Sequence, residues 1–185
     1  MEKNEPNIRP VESPEERGEP RLRRPTSADG SAVWELIAAC DPLDRNSLYC
    51  NILQCEHFAE TCVVAELDGE VVGWISGHIP PNEPDTLFVW QVAVGEKARG
   101  LGLAKKMLTA ILDRAVCADV DRVKTTITKD NEASWGLFTS FAADRDAPLV
   151  RAPHFTRDGH FDGRAETEHL VRIGPFGALA DVAAA

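Results

Sequence analysis

A glycine-containing turn between an apolar strand and an amphipathic helix is the clearest candidate for a ligand site in this sequence. It follows Val92-Ala-Val94 and comprises Arg99, Gly100, Leu101, Gly102, Leu103 and Ala104. Glycine lets the backbone approach a ligand closely, and the N–H groups of the turn and of the first helical turn converge on a point that suits a pyrophosphate. Lysines at 97, 105 and 106 add positive charge, and no acid occurs between residues 97 and 112. The alternative is an ordinary strand–turn–helix with a solvated basic face.

Cysteine and histidine residues could support metal or thiol chemistry, but their spacing indicates neither. The five cysteines are odd in number and include no CxxC pair. Cys50, Cys55, His57 and Cys62 lack the spacing of a zinc site. We therefore expect no metal and no nucleophilic cysteine, and reduced thiols indicate a cytoplasmic protein.

Composition narrows the classes of partner. The 185 residues carry a net charge of -10, which argues against general binding to nucleic acid or to an anionic membrane. No apolar run approaches the ~20 residues of a membrane span, and Glu2 and Glu5 exclude an ordinary signal peptide. We expect one domain over residues 21–176, between a disordered acidic tail over 1–20 and a frayed tail over 177–185.

The hydrophobic pattern predicts an α+β domain around a mixed sheet. Strands are predicted at 21–24, 61–67, 71–79, 86–94, 123–128 and 167–173, and helices at 27–40, 46–58, 102–117 and 131–143. The turn at residues 99–104 thus follows a strand that is apolar on both faces and begins the strongest amphipathic helix.

The same turn matches the R-x-x-G-x-[GA] pattern and resembles that of the Gcn5-related N-acetyltransferases (GNATs). The resemblance implies a mixed, mostly antiparallel sheet with splayed central strands that binds acetyl-CoA. It assigns main-chain contacts with the pantetheine arm to Val92 and Val94, and pyrophosphate binding to the backbone of residues 99–104. Asn131 matches the asparagine that contacts the CoA arm, although a helix N-cap suits it equally well.

Further segments resemble one branch of that superfamily, the L-2,4-diaminobutyric acid acetyltransferases of ectoine biosynthesis. The matching segments are residues 44–49, 55–66, 87–94, 130–135 and 160–176. The resemblance implies transfer of acetyl from acetyl-CoA to the γ-amine of L-2,4-diaminobutyrate, by direct attack, in a homodimer. The alternatives are an acetyltransferase for another small amine or a protein amino group, and a silent acyl-CoA-binding module.

The resemblance places four residues around the diamine. Asp44, Tyr49 and Glu168 are implied as catalytic and substrate-binding residues, and Trp90 as substrate-binding. Each has a structural alternative: a turn or helix-cap residue for Asp44, an exposed hydroxyl for Tyr49, the core for Trp90 and an edge-strand surface acid for Glu168. Apolar neighbours in the last strand predict a desolvated, more basic Glu168.

One departure concerns the leaving thiolate. Many GNATs place a tyrosine, which serves as the general acid, seven residues after the asparagine, whereas this chain has Phe138, which has no proton to give. Either Tyr49, the chain's one tyrosine, replaces it, or the proton comes from water or the product ammonium.

Overall fold

The computed structural model describes residues 18–41 and 43–177, which are organised around one seven-stranded sheet. The tails expected at residues 1–20 and 177–185 lie almost wholly outside the described residues. Within the described ranges, no helix is long and apolar enough to cross a membrane.

The sheet has the order β1-β2-β3-β4-β5-β7-β6, with one parallel pair, β4 and β5, among antiparallel neighbours. Its strands are β1 Arg21–Arg23, β2 Val63–Leu67, β3 Glu70–His78, β4 Thr86–Val94, β5 Arg122–Thr128, β6 Leu149–Phe155 and β7 Glu168–Ile173. The helices are α1 Gly30–Ala38, α2 Leu48–His57, α3 Leu103–Leu112, α4 Glu132–Asp144 and the short α5 Arg157–His160. The predicted mixed, mostly antiparallel sheet is confirmed.

The central strands β4 and β5 separate along their length. Their register pairs residues 86–88 with residues 122–124, yet β4 continues to Val94 and β5 to Thr128. The strands are therefore splayed beyond Phe88, as the GNAT resemblance implies, and main-chain groups of β4 face the gap instead of a neighbouring strand.

Each face of the sheet is covered by a pair of helices. One core joins Met107 and Leu108 of α3 to Phe141 of α4 and the sheet residues beneath them. On the opposite face, Val33 of α1 packs in a second core with the fully buried Trp74 of β3. Helices on both faces leave the gap between β4 and β5 open at one end of the sheet.

One predicted helix is shorter in the structure, and one strand of the sheet lies where none was predicted. The third helix ends at Leu112 rather than at residue 117, because Arg114 takes an extended backbone and its guanidinium donates to the carbonyls of Ala59, Glu60 and Cys62. In addition, β6 was not predicted. It is an exposed edge strand with Pro153 within it, so it lacks the buried alternation that identifies a strand in sequence.

Candidate active site

A cleft of about 750 Å³ opens where β4 and β5 separate. One side is formed by β4 and the loop between α1 and α2, and the other by β5, the start of α4 and the segment between β6 and β7. The lining residues that matter below are Asp44, Trp90, Gln91, Val92, Thr126, Asn131, Phe138, Arg157, Glu166 and Glu168. Val92 and Asn131 of the predicted cofactor residues thus share the cleft with Asp44, Trp90 and Glu168, whereas Val94 and the turn at residues 99–104 are not among its described lining residues.

The predicted phosphate turn has the backbone geometry that such a site requires. Gly100 and Gly102 have φ of 78° and 67°, in the left-handed region that favours glycine, and Gly102 is the N-cap of α3. A Cβ atom built at either glycine would meet nothing within 4 Å. The first N–H groups of α3 lack partners within the helix, so the turn presents open space lined with donors.

The lysines around this turn are already paired with carboxylates. Lys97 lies 2.6 Å from Glu70. Lys105 lies 2.6 Å from Asp144, and Lys106 lies 2.7 Å from Glu19. Arg99 donates through Nε to the carbonyl oxygen of Val94 at 3.2 Å. The main-chain donors and the guanidinium of Arg99 are therefore the candidate anion ligands of this turn.

Asn131 is the N-cap of α4, and this role is compatible with the predicted contact with the CoA arm. Its side-chain oxygen accepts a hydrogen bond from the backbone N–H of Ser134 at 3.0 Å, which makes it the N-cap of α4. The cap uses the oxygen and leaves the amide NH₂ group to donate into the cleft. Val92 lines the same cleft, whereas the carbonyl of Val94 is occupied by Arg99 and Cys40.

Glu168 is a partly buried carboxylate in the cleft. It begins β7, which lies between β5 and β6, so it is not on an edge strand. Its Oε2 atom is buried and has no hydrogen-bond partner among the described residues. Burial raises the pKa of Glu168, the nearby charge of Asp44 raises it further, and a hydrogen bond with Thr126 opposes the rise. The predicted desolvation is confirmed, and the carboxylate is suited to accept a proton.

Asp44 lies at the mouth of the cleft, in the loop between α1 and α2. Its side chain is exposed, yet it is close enough to Glu168 to influence that group's pKa. The loop is held by Gln91, a buried residue that our sequence reasoning did not assign to the site. Its signal in the sequence was a polar side chain within an otherwise apolar strand.

Of the two aromatic residues predicted to surround the diamine, Trp90 lines the cleft and Tyr49 does not. Trp90 is 49% exposed and lines the cleft, so it is not a core residue. Tyr49 is 68% exposed in the first turn of α2 and is not part of the cleft lining. Phe138 is buried and lines the cleft, which leaves this wall without a phenol hydroxyl.

The segment between β6 and β7 forms a wall that the sequence did not reveal. It is braced internally, since Arg157 donates its N–H to Thr167 Oγ1 at 3.0 Å and accepts at its carbonyl from Gly163 at 2.9 Å. The Arg157 guanidinium pairs with Glu166 across the segment. In the part of the chain described, no group of three or more His, Cys, Asp or Glu could hold a metal ion.

Comparisons with known proteins agree with this geometry. The sequence matches the profile of the acetyltransferase (GNAT) family over residues 31–142. It is 53% identical over 158 residues to the L-2,4-diaminobutyric acid acetyltransferase of Methylotuvimicrobium alcaliphilum, with 85% of this chain and 92% of that protein covered. The corresponding protein of Chromohalobacter salexigens is 51% identical over 156 residues, covering 84% and 81%.

A solved structure is similar over the whole domain. It is the diaminobutyrate acetyltransferase from Paenibacillus lautus in complex with its substrate L-2,4-diaminobutyric acid and coenzyme A. The TM-score is 0.82 at 42% identity, with 85% of this chain and 96% of that chain covered.

Proposed function

Because the chain belongs to the L-2,4-diaminobutyric acid acetyltransferase family of the GNAT acetyltransferases, we propose that it acetylates the γ-amine of L-2,4-diaminobutyrate with acetyl-CoA. The product is N4-acetyl-L-2,4-diaminobutyrate, an intermediate of ectoine biosynthesis by family resemblance. The observation that carries the proposal is the shared cleft, which joins the exposed β4 backbone and Asn131 to the carboxylates of Asp44 and Glu168.

The two carboxylates suit the protonation state of the substrate. The terminal amine resembles that of lysine, with a pKa of about 10, and is mostly an ammonium ion at neutral pH. Asp44 supplies negative charge that stabilises this cation. Glu168, with a raised pKa and an unpartnered oxygen, accepts the proton that must leave before the nitrogen can attack.

Direct attack on the thioester needs no covalent enzyme intermediate. No cysteine is among the described residues that line the cleft, which supports this route. The C–N bond forms as the C–S bond breaks, and the thiolate then takes a proton. Phe138 carries none and Tyr49 lies outside the cleft lining, so we assign that proton to water or to the attacking nitrogen, which is an ammonium after addition and loses one proton as it becomes the amide.

A substrate panel tests the proposed function. Acetyl-CoA consumption is measured with L-2,4-diaminobutyrate, other diamines and simple alkylamines, and the acetylated nitrogen is identified by NMR. We expect acetylation at the γ-nitrogen and a strong preference for the diamino acid, since a site with buried hydrogen bonds rejects analogues that lack the matching groups. Equal turnover of alkylamines would leave a generic acetyltransferase, and acetyl-CoA binding without turnover of any amine would leave a silent binding module.

We also infer a cytoplasmic homodimer. The free cysteines suit a reducing compartment. The edge strand β6 is exposed along most of its length, with Val150 60% exposed and Phe155 40% exposed, and such an edge is a natural site for a second copy. Light scattering on the purified protein measures the mass, and a monomer at working concentration would contradict the inference.

A further inference from the structure

Gln91 connects the sheet to the loop that carries Asp44. Its side chain is 7% exposed, and both ends of its amide are used. Nε2 donates to the main-chain oxygen of Asp44 at 2.8 Å, and Oε1 accepts from Asn46 Nδ2 at 2.8 Å. One side chain of β4 thus fixes two positions of a loop that has neither helical nor strand structure.

An irregularity in β4 sets the direction of this side chain. The β3–β4 register pairs Gly77 with Val89 and Ser76 with Gln91, which leaves Trp90 as an extra residue. Such a bulge re-aims the side chains around it. The backbone N–H of Gln91 donates to Ser76 Oγ at 3.2 Å, which fixes the strand at this point. Trp90 and Gln91 both line the cleft as a result.

The loop has a further anchor on α1 but carries its acid in the open. Trp34 Nε1 donates to the main-chain oxygen of Asn46 at 3.0 Å. The Asp44 side chain itself is exposed, so its position depends on how its main chain is held. The hydrogen bond from Gln91 falls directly on Asp44.

We propose that Gln91 is a positioning residue for the diamine, one that holds Asp44 at the cleft opposite Glu168 so that both carboxylates bind the same cation. The inference rests on the proposed function, in which Asp44 acts on the substrate. A glutamine is required because the two contacts need one donor and one acceptor: glutamate lacks the donor, and asparagine is one methylene shorter.

The first test compares two buried glutamines. Gln91→Glu removes the donor to Asp44 with little change of shape. Gln54→Glu is the matched control, because Gln54 is 2% exposed on α2 and its amide has no hydrogen-bond partner in residues 18–41 and 43–177. We expect Gln91→Glu to lower kcat/KM for L-2,4-diaminobutyrate about 10-fold or more, mainly through KM, while the acetyl-CoA Kd is unchanged. Gln54→Glu is expected to lower the melting temperature but not kcat/KM.

A double-mutant cycle separates positioning from a general structural effect. If Gln91 acts through Asp44, then Gln91→Glu adds little further loss, about twofold at most, in an Asp44→Asn background. A full additional loss, or a weakened acetyl-CoA Kd, would overturn the proposal. If Gln91→Glu does not fold, Gln91→Asn, which keeps both chemical groups at the wrong reach, takes its place in the same cycle. A wild-type protein that fails to acetylate the diamino acid would instead refute the proposed function.

Discussion

Replacing Gly102 by alanine separates the two reasons why the phosphate turn contains glycine. At φ of 67° an L-residue is strained by roughly 1–2 kcal/mol. The added Cβ has no atom of the described residues within 4 Å, so no clash with them is added to this strain. It does project into the space where the pyrophosphate is expected, next to the first N–H groups of α3. We therefore expect a modest loss of stability and a large loss of acetyl-CoA affinity.

Gly69 provides a matched control. It lies in the turn between β2 and β3 at φ of 80°, and a Cβ there also meets nothing within 4 Å. Gly69→Ala should thus carry the same backbone strain without touching the cofactor. For a chain of this length, about 1–2 kcal/mol corresponds to a fall of roughly 2–8 °C in Tm in both variants.

Calorimetric titration with acetyl-CoA and thermal melts distinguish the effects. We expect Gly69→Ala to retain the wild-type Kd and Gly102→Ala to lose at least about 100-fold, the equivalent of roughly 2.8 kcal/mol. Two variants with matching Tm losses and matching, unchanged affinities would show that the glycines serve the turn alone. The pyrophosphate assignment would then be wrong.

The remaining predictions concern the charged groups. Asp44→Asn and Glu168→Gln should each lower kcat/KM for the diamine about 10- to 100-fold, because each loses a charge-assisted hydrogen bond of roughly 1.5–3 kcal/mol. The acetyl-CoA Kd should be unchanged. Normal diamine kinetics in Glu168→Gln would show that Glu168 has only a structural role. Because burial raises the pKa of Glu168 above its usual 4.5, the folded state loses stability as pH rises through the raised pKa. The Tm of Glu168→Gln relative to that of wild type should therefore increase from acidic to neutral pH. A Tm difference that does not depend on pH would contradict this. The rate should rise with pH on the alkaline side because the amine must be deprotonated, and a flat profile from about pH 6 to 9 with chemistry rate-limiting would count against it. Lys106→Gln should weaken acetyl-CoA binding less than about tenfold, because that lysine is already paired with Glu19; a larger loss would show that its charge binds the cofactor.

Local sequence signals predicted the strand, the turn and the helix of the candidate cofactor half of the site. The apolar strand, the turn at residues 99–104 and the amphipathic α3 are neighbours in sequence, so their geometry follows from glycine conformation and helix periodicity. The N-cap role of Asn131 could also be predicted, because capping depends only on residues that are neighbours in sequence.

The substrate half depends on strand pairing, which the sequence does not display. Glu168 had an edge-strand alternative only because β6 was not predicted, and Pro153 and the exposed side chains of β6 concealed that strand. The exposure of Trp90 and the burial of Gln91 follow from a bulge that exists only relative to β3. The sequence therefore predicted Asp44 as a site residue but did not predict Gln91, which holds the loop that carries Asp44.

The ion pairs around the phosphate turn have a consequence for how tightly the enzyme retains its cofactor in electrolyte. Attraction between free charges is screened over a Debye length that shrinks from about 8 Å at 0.15 M to about 3 Å at 1 M. Main-chain N–H groups in direct contact with a phosphate lie within that distance, and they carry no condensed ions to displace. Because Lys97, Lys105 and Lys106 are paired with Glu70, Asp144 and Glu19, these three lysines contribute little long-range attraction for the cofactor. We therefore expect the acetyl-CoA Kd to rise only weakly with salt concentration, which calorimetric titration between about 0.15 and about 1 M salt would measure.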